Sequence, residues 1–308
     1  MAVSTDDIAI FPPEQASLPA SSCERVSSQA KGGHSPARAL GQRVADGAAW
    51  LGSSALTWAW TVALGLILPA LLYGLWWTAA DRHWIAEQIL PSPAFVWESL
   101  GIVWDSGELL EHVGHSARRA ALSLLIGGGI GLVLGFGMGL SERAKAYVFP
   151  TFNALSQLPV LGWIPLLIIF IGIEEGLKLS AISIAVVVPV ALSALNGIAN
   201  IPAALLEVGR IYRFSAWQTL TRIVLPATTP ALFTGLRQGV MQAWLTTIFV
   251  ELLSSSEGLG FFMSYSRSLS QIDMVIVSMF AIGVLGIVIE LALRLIESRL
   301  QGWRRNAF

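Results

Sequence analysis

Charge is scarce in this sequence: only 13% of its 308 residues are Asp, Glu, Lys or Arg, where a soluble domain carries about 25%. That shortage excludes a chain wrapped on all sides by a water-facing surface. Cysteine is nearly lacking, and the lone Cys23 excludes an intrachain disulfide and a cysteine-built metal cluster. A net charge of −1 leaves no basic footprint for a nucleic acid. No Gly-Lys dipeptide occurs, so the chain has no nucleotide-cradling loop of the GxxxxGK type. HExxH, GxSxG and a paired-carboxylate cluster are also missing, which gives no apparatus for catalysis by this chain. His112 and His115 stand three apart. Without a third ligand nearby they predict solvent-facing side chains and no metal site.

Hydrophobic residues fill 54% of the chain, and they fall into long charge-poor windows. A helix needs about 20 apolar residues to cross the bilayer core. The windows predict an all-α polytopic membrane protein with six crossings, near 56–79, 119–140, 150–172, 178–198, 230–253 and 274–296. Several of the twelve tryptophans flank these windows, as amphipathic rings at a bilayer interface do. Residues 1–45 differ: they are rich in Ser, Ala, Pro and Gly and hold no apolar run. They predict a disordered cytoplasmic tail, with no secretory signal, ahead of a membrane domain over 46–308.

Six crossings place both termini on one side. The segments that would share that side hold Arg25, Lys31, Arg38, Arg43, Arg143, Lys145, Arg210, Arg213, Arg222, Arg299, Arg304 and Arg305. The connection over 81–112 holds six carboxylates against Arg82. By the positive-inside rule both ends are expected in the cytoplasm. Arg118 and Arg119 fit awkwardly, because this orientation puts them at the outer start of the second crossing.

Gly127, Gly131, Gly135 and Gly139 recur every fourth residue in the second window. On a helix they form one smooth stripe that lets another backbone approach closely, within the subunit or between two copies. Pro150, Pro159, Pro165 and Pro189 predict bent helices in the third and fourth crossings. Arg237 lies within two turns of the cytoplasmic end of its crossing, where it is expected to snorkel to the interface. Arg267 falls in an outer loop. Glu251 and Glu290 stand near span ends and are read as structural or interfacial.

Between the fourth and fifth crossings lies a polar segment, 199–228. It runs Leu206-Glu207-Val208-Gly209-Arg210-Ile211-Tyr212-Arg213, continues through Trp217, and reaches Ile223-Val224-Leu225-Pro226. The pattern predicts a short helix over 203–213, then a second short apolar face ended by Pro226. Such a knuckle could dock in a groove on a soluble partner. Val208 and Gly209 are small enough for close approach, and Glu207 offers a carboxylate.

This segment resembles the EAA loop of ABC importer permeases, in which Glu-Ala-Ala is followed four residues later by glycine and then by an Ile-x-x-Pro ending. Glu207-Val208-Gly209 stands for the triplet, and Arg213 occupies the place of the loop glycine. Further motifs narrow the likeness to the nitrate, sulfonate and taurine type: Leu90-Pro91-Ser92-Pro93, Leu158-Pro159, Ile164-Pro165-Leu166, Gly235-Leu236-Arg237, Glu251-Leu252-Leu253 and Gly258-Leu259-Gly260. The resemblance covers about residues 60–305. It implies a type I importer permease of the bacterial inner membrane, with no cofactor of its own. ATP and magnesium would be bound by separate ATPase subunits, a periplasmic binding protein would deliver substrate, and a second permease copy would complete the path. By match to the motif, Glu207, Val208, Gly209, Arg213 and Pro226 would form the ATPase coupling site. The implied cargo is a small anion, for which Arg237 and Arg267 are the candidate path residues, though the family also carries uncharged heterocycles. An ion-coupled secondary transporter is the alternative class, and it would need ionisable groups buried in the membrane.

Overall fold

The computed structural model describes residue 60 and residues 64–300. The expected tail over 1–45 and the first residues of the first crossing lie outside them. The chain divides into two units, Met1–Tyr73 and Gly74–Phe308. Of the first, the described part is Trp60 and the opening of helix α1, Leu64–Asp81, an apolar helix of 18 residues. The remaining helices all belong to the second unit.

Among the described residues every regular element is helical. Helix α2, Pro93–Asp105, starts where Ser92 accepts a hydrogen bond from the Phe95 amide at 3.3 Å and Pro93 takes the first turn. Helix α3, Glu108–Leu140, has 33 residues and is roughly 50 Å long at 1.5 Å per residue. It begins eleven residues before the expected second crossing, because its charges at 108–119 are carried on helix rather than loop. The expected third crossing near 150–172 is broken. Helix α4, Glu142–Ser156, and the segment Val160–Ile171 meet at 93°. Pro159 starts a short 3-10 turn and Pro165 opens helix α5, Ile164–Ile171. Two prolines six residues apart remove backbone donors on successive turns, so no straight helix can pass.

Helix α6, Glu175–Ala199, is the central element. Of its most apolar stretch 56% is buried, against 33% for α3 and 11% for the last helix. Helix α3 packs on one side of it through the glycine stripe. A Cβ on Gly131 would stand 2.9 Å from the Val187 carbonyl oxygen, and one on Gly135 would stand 2.6 Å from that of Ala191. Gly127 faces the Ser183 backbone, and Gly139 faces the Ile198 side chain. The stripe is therefore a seam inside the subunit. Gly129 and Gly137, off this face, meet nothing within 4 Å.

Helix α7, Ala203–Ile211, is followed by α8, Ala216–Thr219, and a π-helical turn, Leu220–Val224. The π turn runs directly into α9, Leu225–Ser254. Pro226 does not end a helix, contrary to the sequence reading. It sits in the first turn of α9, and the wider π turn, with the Leu225 amide donating to the Leu220 carbonyl, absorbs the missing proline donor. Helix α9 faces α6 through Gly235 and Gly239. Helices α10, Leu259–Ser268, and α11, Ile272–Leu300, complete the fold.

Four described helices are long and apolar enough to cross a membrane, or five if α4 and α5 make one bent crossing. The remaining expected crossing coincides with α9. It has the length, at 30 residues, but its apolar runs are broken by Arg237, Gln238, Gln242 and Glu251. Exposed Leu125, Val133, Phe280, Ile287 and Leu291 on α3 and α11 suit lipid tails, not water.

Candidate functional site

Helix α7 ends in a Schellman turn. The Phe214 amide donates to the Gly209 carbonyl at 2.9 Å and the Arg213 amide to that of Arg210 at 3.0 Å. Arg213 sits at φ +52, the left-handed conformation that glycine adopts without penalty. The turn is thus retained with arginine in the glycine position, at a penalty of about 1–2 kcal/mol. A capping box then starts α8: Ser215 accepts from the Gln218 amide, and Gln218 accepts from the Ser215 amide. Arg222 lies over the Phe214 ring at 5.6 Å and ties the turn to the π segment.

The predicted coupling residues divide between two faces. Gly209 is buried, and a Cβ there would come within 2.7 Å of Ile223, so its smallness serves the packing of α7 on the π turn. Pro226 belongs to the start of α9. Glu207, Val208 and Arg213 are exposed, together with Leu205, Ile211, Tyr212 and Trp217. Ile211, Tyr212 and Trp217 are each more than 70% exposed, an apolar patch on a projection too short to cross a bilayer. Among the described residues, Glu207, Arg210 and Arg213 make no side-chain hydrogen bond or ion pair. The apolar patch and its solvent-facing charges form a surface suited to a protein partner.

The far end of α9 holds a second constellation, which the sequence reading did not assemble. Arg119 of α3 is 4% exposed and all five of its guanidinium donors find acceptors. Nε and Nη2 bind Glu175 of α6 at 2.9 and 2.8 Å. Nη1 binds Glu251 of α9 and the Glu257 carbonyl, each at 2.8 Å, and Nη2 also reaches the Glu257 carboxylate at 3.5 Å. Lys178 binds Glu175 at 2.6 Å. Glu251, 1% exposed, accepts further hydrogen bonds from the Ser116 hydroxyl at 2.8 Å and the Gly260 amide at 3.0 Å. Gly258 stands at φ +103, with the Glu251 carboxylate where a Cβ would be. The motifs Glu251-Leu252-Leu253 and Gly258-Leu259-Gly260 are therefore two halves of one site. Arg119, awkward at a membrane boundary in sequence, is matched and enclosed here.

The expectation of solvent-facing histidines is also corrected. His112 is largely buried, accepts from the Gly258 amide at 3.1 Å and stacks on Phe262 at 5.2 Å. His115 approaches the Glu257 carboxylate at 3.0 Å. Among the described residues no cluster of three metal-ligating side chains occurs.

A cavity of about 1180 Å³ opens between α3, the α4–α5 bend, α6, α9 and α11. Most of its wall is apolar. Arg237 and Glu290 are the charged residues that line it. The Arg237 side chain is one-third exposed. It crosses to α11, binding the Glu290 carboxylate through Nε at 3.2 Å and through Nη2, with Glu297 3.5 Å from Nη1. Glu290 also accepts from Arg294 at 2.9 Å. Arg267, exposed at the last turn of α10, does not line this cavity.

A broken, glycine-seamed bundle with four or five apolar helices long enough to cross a bilayer, among the described residues, is the architecture of a polytopic membrane protein. Residues 127–302 match the family described as binding-protein-dependent transport system inner membrane component, and the chain belongs to that family. It is 33% identical over 242 residues to a Bacillus subtilis protein named for aliphatic sulfonates transport, SsuC, covering 79% of this chain and 88% of that one. It is 30% identical to the taurine transport system permease protein TauC of Escherichia coli, covering 82% and 95%. The nitrate import permease protein NrtB of Synechocystis is 28% identical over 68% and 79%. A chain from inward-facing conformations of the MetNI methionine ABC transporter shares the fold, with a TM-score of 0.51, 16% identity, and coverage of 64% of this chain and 98% of that one. Membership makes this a multi-pass inner-membrane component of an ABC importer. Membership in the binding-protein-dependent family, not the pairing of Arg119 with Glu251, weighs against the ion-coupled alternative.

Proposed function

We propose that this chain is the non-catalytic permease of an ATP-driven importer for a small oxyanion, such as an alkanesulfonate, taurine or nitrate. With six crossings and both termini in the cytoplasm, the α7–α8 projection lies on the cytoplasmic side. There it docks on an ABC ATPase, which alone binds ATP and magnesium. A periplasmic binding protein delivers the anion to the opposite face, and two copies of the chain enclose the path.

The observation that carries this reading is the exposed patch of Val208, Ile211, Tyr212 and Trp217, flanked by unpaired Glu207, Arg210 and Arg213. Water penalises such a patch, and a protein groove buries it at about 25 cal/mol per Å². ATP binding draws the two ATPases together, the projections move with them, and the bundle switches between two rigid-body states. The relatives' cargoes support the substrate class. The test is co-purification of the ATPase with the permease, beside ATP-driven uptake. Val208→Asp with Ile211→Asp, or Glu207→Arg, is expected to lose both. A Glu207→Arg permease retaining full uptake counts against docking there.

A further inference from the structure

The cavity wall pairs its charges in an uneven way. Arg237 is 33% exposed and Glu290 23% exposed in their side chains, so their ion pair faces the cavity rather than the packed interior. Glu290 has a second cation, Arg294, but Arg237 has only carboxylates. On the same stretch of α9, Gln238 and Gln242 are one turn apart and also line the cavity, as does Gln157 from the α4–α5 bend. None of these three carboxamides makes a side-chain hydrogen bond among the described residues. A largely apolar cavity thus presents three solvent-exposed carboxamides beside one guanidinium.

We infer that Arg237, with Gln238 and Gln242, is the oxyanion-binding station of the translocation path, and that the passing anion exchanges with Glu290 at Arg237. This rests on the oxyanion reading above and adds the residues that meet the cargo. The planar guanidinium fork fits two oxygens of a sulfonate or nitrate as it fits a carboxylate. The carboxamide N–H groups supply further donors to the remaining oxygens. Exchange leaves Glu290 with a cation: it turns to Arg294, which already holds it at 2.9 Å, while Arg237 takes the anion with Glu297 still 3.5 Å away. The anion adds a third negative charge to two guanidiniums and two carboxylates, a surplus that solvent screens because these side chains are partly exposed. Release reverses the exchange, with Glu290 competing the anion off. The station therefore holds its cargo weakly, as a path must if the cargo is to leave.

The test uses the full importer, permease with its ATPase and binding protein, in proteoliposomes, with ethanesulfonate, taurine and nitrate as probes. Uptake is measured beside ATPase co-purification. Arg237→Gln is expected to lower uptake of the transported probe about tenfold or more, the scale of one lost charge-assisted contact, with co-purification unchanged. Gln238→Leu with Gln242→Leu lowers it severalfold. Because Arg237→Gln leaves Glu290 with one cation fewer, the double variant Arg237→Gln with Glu290→Gln separates two roles. A contact with the anion leaves the double variant slow, whereas a purely structural ion pair lets uptake recover and overturns the proposal. Failure of the unsubstituted, ATPase-bearing importer to move any of the probes also overturns it, while leaving the docking surface intact. A defect in both uptake and co-purification in the Arg237→Gln variant assigns the residue to assembly and removes it from the path.

Discussion

Removing Arg119 exposes how much the fold depends on one matched cation. In Arg119→Ala the buried carboxylate of Glu251 loses its guanidinium and keeps only the Ser116 hydroxyl and the Gly260 amide. Breaking a buried pair from one side costs about 3–5 kcal/mol, because the remaining charge is uncompensated. The two surviving donors place the expected loss near the lower end, about 3 kcal/mol. Glu175 suffers less, being 55% exposed and still held by Lys178. For a bundle of this size about 3 kcal/mol corresponds to a fall in unfolding midpoint of roughly 6–12 °C. Thermal unfolding of the purified full chain in detergent reads it directly. Glu257→Ala serves as the contrast, since its carboxylate is 50% exposed and reaches Arg119 only at 3.5 Å, a contact that contributes about 0–1 kcal/mol. Arg119→Met with Glu251→Leu removes both buried charges and is expected to recover most of the stability lost in the single variant. An Arg119→Ala midpoint within about 2 °C of the unsubstituted chain would refute this reasoning, because a change that small corresponds to only about 1 kcal/mol or less.

Two further outcomes rest on backbone geometry. Gly135→Val drives a branched side chain into the Ala191 backbone and is expected to destabilise by about 3 kcal/mol or abolish folding, whereas Gly129→Ala, with open space around it, is neutral or slightly stabilising by thermal unfolding. Arg213→Gly relieves the left-handed strain and is expected to stabilise the α7–α8 turn by about 1 kcal/mol, seen as slower amide exchange of Tyr212–Phe214, while Arg213→Val shifts it the opposite way.

Much of the bundle is legible in the sequence because bilayer crossings leave a one-dimensional signal. The windows at 119–140, 178–198 and 274–296 fall inside α3, α6 and α11. The glycine stripe is legible as a seam, since spacing by four fixes a face, but spacing cannot say which helix the face meets. The bend near Pro159 is announced by its prolines, but its 93° size is not, because two helix segments and a gently bent span have the same apolar content. The ion network escapes for a related reason. Arg119, Glu175 and Glu251 lie far apart in sequence, and each taken singly reads as a boundary charge. One signal could have found them: Gly258 and Gly260 shortly after Glu251 mark a backbone that must approach something closely. At the coupling segment, side-chain types show which residues could touch a partner. They cannot show that Gly209 turns inward while Val208 turns out, because that depends on the π turn across from it.

The π turn at Leu220–Val224 has a mechanical consequence. From Ala216 to Ser254 the helical backbone runs without a loop, roughly 55–60 Å at 1.5 Å per residue. The exposed patch at Trp217, the guanidinium at Arg237 and the carboxylate at Glu251 are thus carried on one continuous helical run. A displacement of the Trp217 end passes along hydrogen-bonded helix, and the π turn with Pro226 and Pro230 marks where that run can bend.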